Sequence, residues 1–150
     1  LTDILGGNNS SRLYQQLVKE QKLFVHLDCY HFGSSDPSLL TIEGKLVEGI
    51  SMEKAEQALQ IEIDKICKEG PSEQELQKVK NKTESLIAFE DMSVMSRASS
   101  LAYYELLGDA GLMNQELVKY QKVTPELIQQ TAQQIFQDTN RNTLYYYSKS

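Results

Sequence analysis

Leu5-Gly6-Gly7-Asn8-Asn9-Ser10-Ser11-Arg12-Leu13-Tyr14, running on through Leu17-Val18-Lys19-Glu20 to Leu23, is the stretch from which the rest of the chain can be read. Leu1 to Leu5 has the form of a last helical turn, and Gly6-Gly7 supplies a left-handed stop. Asn8 to Ser11 offers several N-caps for a second helix over roughly Arg12 to Glu20, with Leu13 and Leu17 one turn apart. The period then changes from helical to alternating. Over Phe24 to Phe32, alternation places Val25, Leu27 and Cys29 on one face and Phe24, His26, Asp28 and Tyr30 on the other. Leu39 to Leu46 alternates as well, with Leu40, Ile42 and Leu46 against Thr41, Glu43 and Lys45. The link Gly33-Ser34-Ser35-Asp36-Pro37-Ser38 is dense in turn formers, so two antiparallel strands joined by a loop are expected.

The remainder reads as mainly helical. Ser51 caps a helix with the apolar stripe Met52, Ala55, Leu59, Ile63 and Ile66. Gly70-Pro71 breaks it, and Ser72 with Glu75 forms a capping box that starts the next, with stripe Leu76, Val79, Thr83, Leu86 and Ile87. A further helix is expected from about Val94 to Leu107, stopping at Gly108, and a shorter one around Asn114 to Lys122. Thr124 then caps, Pro125 takes the first helical position, and Leu127, Ile128, Ala132, Ile135 and Phe136 form the buried face. Asn142 to Ser148 reads as a tyrosine-rich strand. Its Tyr145-Tyr146-Tyr147 run is expected to pack in the sheet, with alternate residues buried. Strands do not alternate regularly with helices, so the fold class is α+β: an antiparallel or mixed sheet with helices packed on one face.

A chain of 150 residues is one ordinary domain with room for a real core. With 40% hydrophobic and 24% charged residues it is globular in composition. Fifteen basic against 21 acidic residues give a net charge of −6, which argues against a nucleic-acid binder. No apolar run approaches the ~20 residues of a membrane span. The chain opens on Leu1 without an initiator Met, and the start of its first helix is missing. The expectation is therefore a single domain over residues 1–150, N-terminally truncated and lacking its first strand or strands and helix. Such a piece would expose apolar surface and tend to self-associate.

Few residues offer chemistry of their own. His26 and His31 are five apart in a strand, so they point to opposite faces; His26 shares a face with Asp28, but two ligands leave a metal site incomplete. Gly6 to Ser11 before a helix could cradle a phosphate, yet it lacks the Lys and the spacing of a P-loop. No Ser sits in a Gly-x-Ser-x-Gly elbow. Glu53, Glu56, Glu62, Asp64, Glu73 and Glu75 read as a solvated face. Cys29 and Cys67 read as two small buried apolar residues.

The opening block, Gly70-Pro71-Ser72-Glu73-Gln74-Glu75-Leu76 and Val123-Thr124-Pro125-Glu126, in this order and spacing, resemble the C-terminal-type, non-zinc domain of the insulinase/pitrilysin (inverzincin) family of zinc peptidases. The resemblance covers almost the whole chain. It implies similar αβ domains in two halves around a closed chamber. One domain carries His-x-x-Glu-His and a distal Glu; the two His and the distal Glu bind zinc, and the motif's Glu activates water. This sequence contains no His-x-x-Glu-His, so no cofactor is expected in this chain, with zinc in another domain of the parent. The resemblance implies a chamber-wall domain that helps hold peptide or unfolded protein. Active members place an Arg and, seven residues on, a Tyr in a stretch like Leu-Arg-x-x-x-x-Leu-x-Tyr. Aligning Leu17 and Leu23 puts Val18 and Val25 at those positions, and neither can donate a side-chain hydrogen bond. Catalytic residues are therefore not expected here. The alternatives are an inactive structural or assembly subunit of processing-peptidase type, and a peptide-binding module. The partners implied are the other domains of the parent chain and a peptide substrate, in a bacterial periplasmic or secreted setting.

Overall fold

The computed structural model describes residues 1–33 and 36–147. Ser34 and Ser35 of the turn-rich link, and Ser148 of the expected last strand, lie outside them. In chain order the elements are α1 (Thr2–Leu5), a π-helix (Tyr14–Glu20), β1 (Phe24–His31), β2 (Leu40–Leu46), α2 (Met52–Glu69), α3 (Glu73–Asp91) and α4 (Val94–Leu106). A 3-10 helix (Ala110–Gln115), α5 (Glu116–Gln121), α6 (Pro125–Ile135) and a 3-10 turn (Asp138–Asn140) follow. The fold is α+β, with β1 and β2 forming a two-stranded antiparallel sheet. The chain divides into two compact units, one of residues 1–71 with 126 onward, the other of residues 72–125.

In the first unit, Leu5, Leu13, Leu17 and Ile66 are fully buried. Leu13 and Leu17 keep the spacing expected of them, but the second helix is not a plain α-helix. Tyr14–Glu20 winds as a π-helix, and Leu23 N–H reaches back to Leu17 O at 2.9 Å. The wider turn absorbs extra residues before the chain enters β1.

Alternation misplaces the start of β1. Phe24 joins Leu27 and Cys29 in the core, while Val25 is 59% exposed. The cause is a β-bulge. Phe24 pairs with Leu46 and His26 with Lys45, leaving Val25 as the extra residue. One inserted residue inverts the parity of whatever precedes it. The Phe24 ring lies over Gly44, where a Cβ would come within 2.7 Å of it.

Ser51 Oγ accepts the Lys54 N–H and opens α2, whose buried residues are Ala55, Ala58, Glu62, Ile63 and Ile66. Glu62 is thus not part of a solvated face. Its carboxylate is buried and accepts from Lys65 Nζ at 2.6 Å, which leaves the charged head of the lysine near water. The end of α2 illustrates how orphan carbonyls are satisfied. Gln133 Nε2 donates to Cys67 O at 2.7 Å, Gln129 Nε2 to Lys68 O at 2.6 Å, and Arg12 Nη2 to Gly70 O at 3.0 Å. Helix α6 supplies both glutamines and buries Ile128 and Ala132. Leu127 and Ile135, expected on that buried face, are exposed.

The expected C-terminal strand has no ladder over its described part, Asn142 to Tyr147. Among the described residues β1 and β2 pair only with each other. The segment lies along α2 instead. Thr143 Oγ1 and the Tyr145 hydroxyl both donate to the Glu56 carboxylate, and Arg141 donates to Gln60 Oε1. Packing of the tyrosine run in the sheet is corrected accordingly: Tyr145 is tied to a helix, and Tyr146 and Tyr147 are exposed.

The second unit opens with the expected capping box. Ser72 Oγ accepts the Glu75 N–H, and the Glu75 carboxylate accepts the Ser72 N–H. Gly108, at φ 106°, ends the turn after α4. The helix expected around Asn114 to Lys122 is split into the 3-10 turn and α5. Lys80 Nζ donates to Gln121 O at 2.8 Å. Helix α4 has no buried residue. Among the described residues no helix is long and apolar enough to cross a membrane.

The tightest contact is at Gly6, where a Cβ would stand 2.4 Å from both Cys29 N and Cys29 Cβ. Gly6→Ala is expected to destabilise the protein by about 1–3 kcal/mol through overpacking. Urea unfolding monitored by circular dichroism checks this, and an unchanged midpoint would show that the turn can move away from β1.

Candidate functional site

The region to weigh is the Gly-rich turn with the entry to β1, because Val18 and Val25 flank it. Gly7 adopts φ 76°, a left-handed conformation that costs a glycine little. Its N–H donates to Asp28 Oδ1 at 2.8 Å, and the same oxygen accepts the Cys29 N–H at 2.9 Å. Asn8 Oδ1 accepts both the N–H and the hydroxyl of Ser10, at 2.9 and 2.7 Å. Ser11, buried, donates its hydroxyl to Asn8 O at 2.7 Å. An anion cradle needs open N–H groups and no competing charge. Here the Gly7 and Ser10 amides are engaged and the Asp28 carboxylate already occupies the turn. The stretch works as a structural clasp between α1 and β1.

Val18 is half-buried on the π-helix, and Val25 projects from the bulge. Neither side chain can donate or accept a hydrogen bond. His26 and His31 are exposed on β1. Asp28, which shares a ladder face with His26, is committed to Gly7. Among the described residues no three His, Cys, Asp or Glu side chains converge as a metal site would require.

The cysteines differ from each other. Burial pushes the Cys29 thiol up to about 12, with the Asp28 and Asp3 carboxylates pushing the same way. Cys67 is half-buried, and its thiol is raised by partial burial and by Asp64. A thiolate is the reactive form, so neither is an activated nucleophile. Two cavities among the described residues lie in the second unit. One, of about 190 Å³, lies among Glu90, Asp91, Arg97 and Glu116, and the other, of about 320 Å³, among Tyr104, Glu116, Lys119 and Tyr120. Small-ligand sites run from about 300 to 1,000 Å³ and bury most of the ligand, so the first is too small and the second is a groove wide open to solvent rather than an enclosed pocket.

Two carboxylates matter more than the sequence suggested. Asp28 holds the clasp, and Glu56 collects Tyr145, Thr143 and, at 3.7 Å, Arg141. The Tyr145 hydrogen bond, then Thr143 and Arg141, hold the Glu56 carboxyl below its usual value. Their partners lie 21 and more than 80 residues away, a separation that spacing rules do not reach.

At mildly alkaline pH a thiol reagent should label Cys67 first and Cys29 only on unfolding. Equal rates in the folded protein would contradict the burial of Cys29. The Tyr104 hydroxyl, which donates to Glu116 at 2.6 Å, is pushed up to about 12, chiefly by that bond. Folded Tyr104 holds its proton more tightly than the unfolded phenol. Its contribution to stability is complete below about pH 10 and is lost as pH rises toward 12. Tyr104→Phe should flatten that loss, as read by alkaline unfolding curves; an unaltered curve would place the loss elsewhere.

Comparison with solved structures finds the same fold in several bacterial proteins. A candidate zinc protease from Bordetella pertussis Tohama I matches with a TM-score of 0.80 and 23% identity, over 94% of this chain and 78% of that one. The inactive peptidase domain of a candidate zinc protease from Bordetella parapertussis matches at 0.82 and 20%, over 99% and 81%. A protease from Helicobacter pylori matches at 0.84 and 19%, over 93% of this chain but only 33% of that one. No curated protein sequence matches. Residues 1–83, which include the clasp, the bulged sheet, α2 and the capping box, match the family model of the peptidase M16 inactive domain. With more than half of its length matched, and a clasp that holds elements together without offering a reactive group, the chain belongs to the inactive-domain family of the M16 peptidases.

Proposed function

We propose that this domain is a non-catalytic wall of a zinc metallopeptidase chamber. It holds an extended peptide or unfolded segment and leaves bond cleavage to a zinc-bearing domain elsewhere in the parent chain. Residues 1–150 serve together as one C-terminal-type domain of that architecture. The observation that carries the reading is the family match to an inactive peptidase domain in a chain with no His-x-x-Glu-His. The β2 edge away from β1 has no ladder partner among the described residues, and an extended peptide can add to such an edge through main-chain hydrogen bonds.

Val18 and Val25 support the non-catalytic half of this reading. At the positions where active relatives of this architecture carry Arg and Tyr, they offer peptide an apolar surface and no carbonyl-polarising donor. The same pair favours a second reading, in which the parent's half is inactive throughout and serves assembly. The two separate when zinc content and cleavage of an unfolded peptide are measured on the parent and on this chain side by side. The expected result is about one zinc per parent molecule with cleavage, and neither for this chain. A parent that is metal-free and inert would replace the chamber-wall reading with the assembly one.

A further inference from the structure

Residues Arg141 to Tyr145 meet α2 through side chains, and most of those contacts end on one residue. Glu56 collects three donors from the segment: the Tyr145 hydroxyl on Oε2, the Thr143 hydroxyl on Oε1 at 3.3 Å, and the Arg141 guanidinium at 3.7 Å. The donors stand two residues apart, so an extended chain turns all three the same way. Arg141 also donates to Gln60 Oε1, one turn further along α2. Whatever lies on the other side of the segment, its α2 side rests on one carboxylate and one amide. The two respond differently to acid, because the carboxylate titrates and the amide does not.

We propose that Glu56 is a pH-sensitive latch: ionised, it holds residues 143–145 along α2, and on taking up a proton it lets them swing free from Arg141. Hydrogen bonds to an ionised acceptor are roughly twice as strong as neutral ones. Protonation strips that assistance from both hydroxyl bonds and removes the counter-charge of Arg141 in one step. The Arg141 bond to Gln60 survives, which makes residue 141 the pivot. The charges that bear on the cluster are Arg141 from the segment and Glu53 from the preceding turn of α2, with the Tyr147 phenol also acting on Tyr145. The Tyr145 bond, then Thr143 and Arg141, hold the Glu56 carboxyl below its ordinary 4.5. The latch is therefore closed above about pH 4.5 and opens as pH falls through the lower folded value. It also opens from the alkaline side. The Tyr145 phenol is raised above its ordinary 10.0, first by its bond to Glu56, so it keeps its proton past that pH. Once the proton is lost, a phenolate faces a carboxylate. The latch is independent of any peptide held at β2.

Carbon relaxation at the Cα of Thr143, Leu144 and Tyr145, measured on the whole chain across pH, tests this, with buried Leu27 reporting on the core. Below about pH 4.5 the three residues should become mobile while Leu27 stays ordered, the freed population rising about tenfold per pH unit as one proton binds. Glu56→Gln keeps the shape without the charge. It should raise the freed population about threefold or more at neutral pH and abolish the acid transition. Tyr145→Phe should move the Glu56 titration up toward 4.5 and remove the alkaline opening. A Glu56→Gln chain as ordered at residues 143–145 as the wild type at neutral pH overturns the proposal, and that comparison needs no acid, so unfolding at low pH cannot hide it. An acid transition that survives in Glu56→Gln overturns it as well.

Discussion

The first unit depends on a side chain that is not there. Gly6 lets the end of α1 press against the backbone of Cys29 at a distance no Cβ could share. That approach lets Gly7 reach Asp28, and Asp28 in turn fixes the Cys29 amide. With the turn held to β1, Leu5, Leu13 and Leu17 close over the same face as Phe24, Leu27 and Cys29, and the core forms. Burying a leucine side chain is worth roughly 1.5–3 kcal/mol. The three leucines need the turn in place before they can contribute that, so a contact with no energy of its own decides whether several others exist.

What could be read from residue order was whatever depends on neighbours in the chain. The Ser72–Glu75 box, the Ser51 cap, Pro125 at a helix start and the glycine stops all act within four residues, and they appear where their chemistry places them. What could not be read depends on distant partners. The bulge at Val25 is settled by how β1 meets β2, and periodicity within β1 alone gives Phe24 the wrong face. The burial of Glu62 reflects what packs on α2 beyond its own stripe. Residues 142–147 have strand composition, yet composition says nothing about whether a neighbouring edge is within reach.

The same division applies to function. Family membership was legible because it rests on short ordered blocks, and the lack of a zinc motif is a statement about sequence alone. The inertness of the clasp needed geometry. A Gly-Gly-Asn-Asn-Ser-Ser run invites a phosphate reading until the amides of Gly7 and Ser10 are found already bonded to side-chain oxygens. An acidic side chain in the middle of an apparent anion cradle is a structural answer to a chemical question.

The end of α2 has a bearing on how the chain is made. Its last carbonyls are closed by Gln129 and Gln133, which follow the whole of the second unit in the sequence. During synthesis, α2 leaves the ribosome with that end open and waits while residues 72–125 emerge. At about 5–20 residues per second that interval lasts several seconds, long enough for the intervening unit to form its local helices first. The unit that holds residues 1–71, most of the family match, is therefore the one that is finished last.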